Sequence, residues 1–188
     1  MKKACCLLFF VLGLSFGLRA QSASGTIQWD EWGVPHIYAQ TDASLFYLEG
    51  WAQMQLHGNL ITELYGRSRG RAAEYWGAAK LKDDIMVHTL GFPELAAEWT
   101  AKQDPTFRQL VEAYVQGLND YARAHPESVK PENRMILPFT VTDVNTHLCF
   151  VVFSRFVGGD DLGTALRYPG LGSNTQAVAP SRSASNKA

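Results

Sequence analysis

The clearest pattern of hydrophobic and polar positions lies between residues 104 and 124. Apolar side chains recur there every three or four residues, at Phe107, Leu110, Val111, Tyr114, Leu118 and Tyr121. This spacing places them on one face of an α-helix. The preceding Asp104-Pro105 pair is typical of a helix start, because proline needs no amide partner in the first turn. We therefore predict an amphipathic helix whose apolar stripe packs into the core.

The residues nearest the start of the predicted fold favour extended structure. Residues 26–29 and 36–39 are typical of short strands, and the segment 32–35 between them has the composition of a turn. A hairpin follows from this arrangement. Thr41 or Asp42 can then cap a helix, because a side-chain oxygen at that position accepts from a first-turn amide.

The helix after this cap is predicted to run to about Tyr65. Gly66 and Gly70 are expected to interrupt it, and residues 71–77 to form a short helix that Gly77 ends. The following stretch of apolar and polar residues, up to the predicted helix start at Asp104, yields no clear prediction.

The last third of the chain mixes one more helix with less regular segments. Prolines mark a connector with little regular structure at Pro126, Pro131 and Pro138. Thr142 is the predicted cap of a helix through Phe156, and residues 157–172 have the composition of a loop. A short strand is predicted around 175–179. Taken together, the pattern predicts an α+β chain that is mostly helical.

The first twenty residues have the composition of a secretory signal peptide. Lys2 and Lys3 precede an apolar run over residues 4–18, and Ala20 is a small residue at the expected cleavage site. The run is shorter than the about 20 apolar residues that a membrane helix needs. We therefore expect a chain that is secreted or periplasmic, with no membrane span once residues 1–20 are removed.

Charge argues against a nucleic-acid partner. Loss of the signal would change the formal net charge from −1 to −4, because three cationic residues leave with it. A nucleic-acid site would need a basic stripe. The one local cluster, formed by Arg67, Arg69 and Arg71, is followed by Glu74, so we interpret it as ion pairs or a solvated face.

Cysteine and histidine positions do not indicate metal or nucleotide chemistry. Cys149 is the one cysteine after residue 20, and its apolar neighbours predict a small buried side chain. Histidines occur at no recognisable catalytic spacing; they are His36, His57, His88, His125 and His147. The chain has no His-x-x-x-His pair, no Cys-x-x-Cys pair and no glycine-rich phosphate loop. A metal site is therefore not predicted.

Three separated stretches resemble landmarks of the penicillin acylase family of N-terminal-nucleophile hydrolases. The first is residues 27–37, IQWDEWGVPHI. The second comprises residues 49–55, EGWAQMQ, and residues 70–77, GRAAEYWG. The third is Gly172-Ser173-Asn174 with AVA and SRSAS behind it. By composition alone Ser173 would be an ordinary turn residue, and it is the order and spacing of all three stretches that identifies it.

The resemblance implies a secreted precursor that cuts itself between Gly172 and Ser173. Residues 21–172 would then be the first chain of an αββα sandwich, and residues 173–188 the start of a second chain. Ser173 would be the nucleophile, with its own freed α-amino group as base. Asn174 would be a positioning residue, and Gly172 would allow the backbone conformation that cleavage needs.

The same resemblance suggests an acyl-binding site and the class of substrate. Val152, Arg155 and Phe156 map to the acyl pocket, with ordinary helix packing or surface charge as the alternative. The substrate would be a small N-acyl amide: a β-lactam, an acyl-homoserine lactone or a lipopeptide. No cofactor is required, although the full-length family can hold a structural calcium whose ligands lie mostly in the remainder of the second chain.

That remainder would also supply the oxyanion hole and would form a heterodimer with the first chain. Oxyanion stabilisation is usually the largest catalytic contribution. The 188 residues by themselves are therefore expected to be inactive. The competing hypothesis is a noncatalytic secreted helical protein, or a decayed gene product, whose exposed faces bind a partner.

Overall fold

An antiparallel hairpin opens the part of the chain that the structure, a computed structural model, describes, residues 24–153. Strand β1 (Gly25–Trp29) pairs with β2 (Pro35–Ala39), and Ile27 lies opposite Ile37. Gly33 occupies the turn with φ +73°, a conformation that side chains other than glycine rarely adopt. The predicted hairpin is confirmed.

Helices make up most of the remainder of the described chain. They are α1 (Asp42–Ser68), α2 (Ala72–Trp76), α3 (Leu81–Thr89), α4 (Phe92–Lys102), α5 (Pro105–Ala124) and α6 (Val141–Val152). Short 3₁₀ turns occur at Ala78–Lys80, Pro126–Ser128 and Pro131–Ile136. The α+β, mostly helical fold class is confirmed. The proline-rich connector contains two of these turns, so it is more regular than predicted.

Helix α1 begins where the sequence predicts and runs past its predicted end. The Thr41 hydroxyl accepts from the Ser44 amide at 3.1 Å, which confirms one of the two predicted caps. Gly66 does not interrupt the helix, so that prediction is wrong. A Cβ atom on Gly66 would lie 2.8 Å from side-chain atoms of both Ile136 and Trp76, which shows that the glycine permits close packing within the helix.

The main core forms where α1 crosses α5. Its buried members are Met54, Ile61, Tyr65, Val115, Leu118, Ala122, Val129, Ile136 and Phe139. The helices approach so closely that an added Cβ on Gly50 would overlap the Tyr114 carbonyl oxygen, and one on Gly117 would overlap the Tyr47 carbonyl oxygen. Two glycines therefore set the distance between the helices.

The predicted apolar stripe of α5 is partly correct. Val111 and Leu118 are buried, but Phe107 is 49% exposed. Phe107 lies in the first turn of α5, whereas the residues of this helix that join the main core begin at Tyr114. Val115, which was not in the predicted stripe, is buried instead.

A second, smaller cluster joins α3, α4 and α6. Its buried members are Val87, Phe92, Ala96, Cys149 and Phe150. Gly91 separates α3 from α4 with φ +65°, in the left-handed region. These two helices occupy the stretch for which the hydrophobic pattern predicts no element. Within the described residues, no helix is long and apolar enough to cross a bilayer.

Candidate active site

Of the residues predicted to bind the substrate or to take part in catalysis, one lies within the described structure and the others lie beyond residue 153. Val152 is the last residue of α6, and 39% of its surface is exposed. The others lie outside the described residues: Arg155, Phe156, Gly172, Ser173 and Asn174. The described structure therefore contains the helix that leads to these residues and the contacts that fix that helix.

A capping box fixes the N-terminus of α6. The Thr140 hydroxyl accepts from the Asp143 amide at 3.3 Å, and the Asp143 carboxylate accepts from the Thr140 amide at 2.7 Å. The predicted cap, Thr142, is wrong, because Thr142 lies in the first turn of the helix. The reciprocal bonds of the Thr140 pair satisfy two amides that the helix leaves unpaired. A threonine followed three residues later by an acid was the signal in the sequence.

A shielded ion pair ties this capping box to the end of α1. Arg69 donates through Nε and Nη2 to the two carboxylate oxygens of Asp143, at 2.5 Å and 2.7 Å. It also donates to the carbonyl oxygens of Ile136 at 2.8 Å and Pro138 at 3.2 Å. Burial is the largest single influence on the pKa of Arg69 and would lower it, but the hydrogen bonds and charges of Asp143 and Tyr75 together outweigh burial and raise the pKa. The guanidinium therefore stays charged and holds α6 against α1.

An aromatic cluster lies at the other end of α6. The Phe92 ring of α4 lies 6.2 Å from the Phe150 ring, nearly edge-on, and 5.7 Å from the Phe153 ring. The Arg67 guanidinium stacks over Phe150 at 5.1 Å from its centroid. The helix α6 is thus held at its N-terminus by the ion pair and at its C-terminus by aromatic packing.

The cluster of three arginines forms ion pairs. Arg67 binds Asp83 at 3.0 Å, and Arg71 binds Glu74 at 2.5 Å. With the Arg69 pair described above, each guanidinium has a carboxylate partner. The ion-pair interpretation is confirmed, and the cluster does not form a basic stripe.

The first of the family-like stretches is built around the carboxylate of Asp30. Its Oδ1 accepts from the amides of Trp32 and Val34, both at 2.9 Å, and its Oδ2 lies 3.3 Å from the His36 ring. The bond from Val34 is the main cause that lowers the pKa of Asp30. This stretch therefore fixes the hairpin turn.

The second stretch depends on a carboxylate that the sequence analysis did not single out. Asp84, in α3, accepts from the amides of Ala72 and Ala73 at 2.6 Å and 2.8 Å and so caps α2 from outside the helix. The Trp76 indole N–H donates to Asn133 at 2.9 Å. No local pattern marks Asp84, because its partners are eleven and twelve residues away.

Three of the histidines and Cys149 occupy positions in the described chain where their contacts serve the fold. His147 is largely enclosed, and burial lowers its pKa. His88 contacts the Gly70 carbonyl oxygen at 2.9 Å, and His125 is the C-cap of α5. Cys149 is buried, as predicted, and burial raises the pKa of its thiol. A neutral buried thiol is a poor nucleophile.

The described residues do not form a metal centre. Among residues 24–153, no three His, Cys, Asp or Glu side chains converge on a point where an ion could bind.

Comparison with known proteins assigns the chain to a family. The sequence model of the penicillin amidase family matches residues 24–188. The chain belongs to the penicillin amidase family. The match covers the described helices and continues through Gly172 and Ser173 to residue 188.

Individual relatives of this penicillin amidase family member differ in the substrate that they are named for. The chain is 29% identical over 107 residues to penicillin acylase 2 proenzyme of Pseudomonas sp. (strain SE83), which covers 57% of this chain. It is 31% identical over 107 residues to the acyl-homoserine lactone acylase PvdQ of Pseudomonas savastanoi pv. phaseolicola (strain 1448A / Race 6), which covers 53% of it. Each match spans 14% of the relative's own length.

A solved structure shows the same arrangement. A thermostable penicillin G acylase from Alcaligenes faecalis superimposes with a TM-score of 0.63 and 25% identity, covering 77% of this chain and 80% of that one. The likeness is consistent with the predicted first-chain portion of an N-terminal-nucleophile hydrolase.

Proposed function

We propose that this chain is the N-terminal part of the precursor of an exported acylase that hydrolyses the amide bond of an N-acyl compound. The observation that carries the proposal is the reach of the family match, which runs from residue 24 through Gly172-Ser173-Asn174 to residue 188. One relative is named as a proenzyme, which supports a precursor that is processed.

Ser173 supplies both the nucleophile and the base after cleavage. A free α-amino group has a pKa of about 7.7–8.0, so a useful fraction is unprotonated near neutral pH and can accept the proton of the Ser173 hydroxyl. The hydroxyl oxygen then attacks the amide carbonyl carbon, and the amine leaves with a proton. Water hydrolyses the resulting ester and releases the carboxylic acid.

The helix α6 positions the acyl-binding residues in this proposal. Val152 ends the helix, and Arg155 and Phe156 follow within four residues. The contacts of Arg69 with Asp143 and of Phe92 with Phe150 and Phe153 hold α6 at both ends. A fixed helix is needed because a displacement of about 1 Å at a reacting group can cost roughly 100-fold in rate.

Intact-mass measurement of the purified full-length precursor tests the cleavage step. We expect two chains whose masses correspond to a break between Gly172 and Ser173, and one uncut chain for Ser173→Ala. Asn174→Ala is a matched variant beside the break that keeps the nucleophile, so it is expected to be cut, though more slowly. One uncut chain in the wild type would contradict the mechanism.

A substrate panel tests the chemistry separately. The cleaved wild type is assayed on penicillin G, on an N-acyl homoserine lactone and on a simple N-acyl amide, with the released amine as the readout. Turnover of at least one compound is expected, with none for Ser173→Ala. Cleavage without turnover of any N-acyl compound would refute the proposed substrate class while leaving the self-cleavage intact.

A further inference from the structure

A cavity of about 700 Å³ opens between α1, α2 and the start of α3. This volume is within the range of pockets that hold small organic molecules, roughly 300–1,000 Å³. Among the described residues, its lining contains none that we assign to the hydrolysis of an amide. The cavity therefore calls for an explanation of its own.

Apolar side chains supply one part of the cavity lining. Leu60 and Leu64 lie one turn apart on α1, and Leu60 keeps 53% of its surface exposed. The Trp76 ring lines the cavity too, and its indole N–H is already bonded to Asn133 at 2.9 Å. Because that bond fixes the ring and uses its donor, Trp76 offers an apolar surface to a ligand.

The acidic side chains of the cavity lining already have partners among the described residues. Asp83 is engaged by both Nε and Nη2 of Arg67, at 3.0 Å and 3.1 Å. Glu63 accepts from Asn133 at 3.3 Å and lies 3.8 Å from Lys130.

Lys80 and Lys82 differ from these groups, because within residues 24–153 neither forms an ion pair. Both lysines are exposed and line the cavity. The acidic groups of the lining are thus already occupied, and the two ammonium groups remain for an anion.

We propose that this cavity binds a medium-chain alkyl carboxylate, with the chain against Leu60, Leu64 and Trp76 and the carboxylate beside Lys80 and Lys82. An alkyl chain fits because removal of apolar surface from water at the leucines and the indole ring favours binding. The carboxylate fits because it matches the positive charge of the lysines. This inference does not depend on the proposed hydrolysis.

Titration of the purified chain with octanoate, followed by the NMR signal of the Trp76 indole N–H, tests the proposal. We expect a saturable shift with a Kd of about 1 mM or tighter. Trp76→Phe identifies the signal by its loss. Octylammonium, which has the same chain and the opposite charge, is expected to bind at least about tenfold more weakly.

Paired variants separate the two parts of the cavity. Lys80→Gln with Lys82→Gln is expected to weaken octanoate binding about five- to tenfold, whereas Lys102→Gln, an exposed lysine on α4, leaves it unchanged. Leu60→Gln is expected to weaken it about tenfold, whereas Leu148→Gln, a similarly exposed leucine on α6, does not. All four variants change exposed side chains, and unchanged melting temperatures would confirm their folding.

Three results would overturn the proposal. The first is no saturable shift at roughly 10 mM octanoate, well above the weakest expected Kd. The second is equal affinity for octanoate and octylammonium. The third is binding that the lysine and leucine variants leave unaltered, which would place the ligand elsewhere on the chain.

Discussion

Arg69 and Asp143 form an ion pair in which both side chains are largely shielded from water, with 17% and 8% of their surfaces exposed. Arg71, two residues after Arg69, forms an ion pair with Glu74, and 53% and 56% of these two side-chain surfaces are exposed. Two arginine–carboxylate ion pairs thus begin within two residues of each other, one shielded from water and one exposed to it. Because water screens exposed charges, the two pairs should contribute very differently to stability.

Arg69→Met is expected to lower the free energy of unfolding by about 3–5 kcal/mol, because it leaves the Asp143 carboxylate shielded and without its cation. Arg71→Met is the matched control and should cost less than about 1 kcal/mol. Urea unfolding of the two variants measures both values. Equal losses would show that burial of the Arg69 pair does not matter.

His147 gives the chain a sensitivity to acid. Burial lowers the pKa of its ring below the ordinary value of 6.5, and within the described residues its Nδ1 has no hydrogen-bond partner. The unfolded chain therefore binds a proton at a higher pH than the folded chain does. The stability that this neutral ring supports is complete above about pH 6.5 and is lost as the pH falls towards the lowered pKa.

We therefore expect the melting temperature of the wild type to fall between about pH 7.5 and about pH 5.5 more steeply than that of His147→Gln. His57→Gln, which replaces an exposed histidine of α1, is the control and should follow the wild type. Parallel curves for His147→Gln and the wild type would exclude His147 as the cause.

At the scale of the elements, the crossing of α1 and α5 is set by backbone contact. The sequence pattern predicts both helices, α1 from its cap and α5 from its hydrophobic periodicity, and the observed caps at Thr41 and Asp104 are ones that the sequence indicates. The same pattern does not reveal how closely the helices pack. Gly50 and Gly117 decide this distance, because each faces a carbonyl oxygen of the opposite helix.

Gly50→Ala is expected to destabilise the chain by more than about 3 kcal/mol, because the new methyl group would overlap the Tyr114 backbone rather than a movable side chain. Gly58→Ala, on the same helix, is the control, since its Cβ would lie 3.4 Å from its nearest neighbours. It should be neutral or stabilising by up to about 1 kcal/mol, because alanine favours helix. Thermal unfolding compares the two, and similar melting temperatures would contradict this account.

For the molecule as a whole, the two hydrophobic clusters predict two levels of protection. Within residues 24–153, the α1 and α5 cluster has nine buried members and the α3, α4 and α6 cluster has five. Segments with fewer buried contacts open at lower free energy. We expect amides of α3 and α4 to exchange with deuterium faster than those at the centres of α1 and α5. Uniform protection across all four helices would mean that the clusters open as one unit.

Local chemistry explains which features could be predicted from the sequence. The hairpin, the start of α1 at Thr41 and the start of α5 at Asp104 depend on residues within a few positions of each other, and each is readable as a pattern. The buried state of Cys149 follows from its apolar neighbours. The family also follows from short stretches in order, and the match over residues 24–188 confirms it.

Tertiary contacts decided the rest. Gly66 remains helical because Ile136 and Trp76 pack against it, and Phe107 stays exposed because the main core begins further along α5. Arg69 finds Asp143 seventy-four residues away, a separation that no local pattern can report. The sequence by itself thus determined the elements and the family, through contacts between near neighbours. Only the folded chain, through contacts between distant residues, decided how α6 is held against α1 and α4.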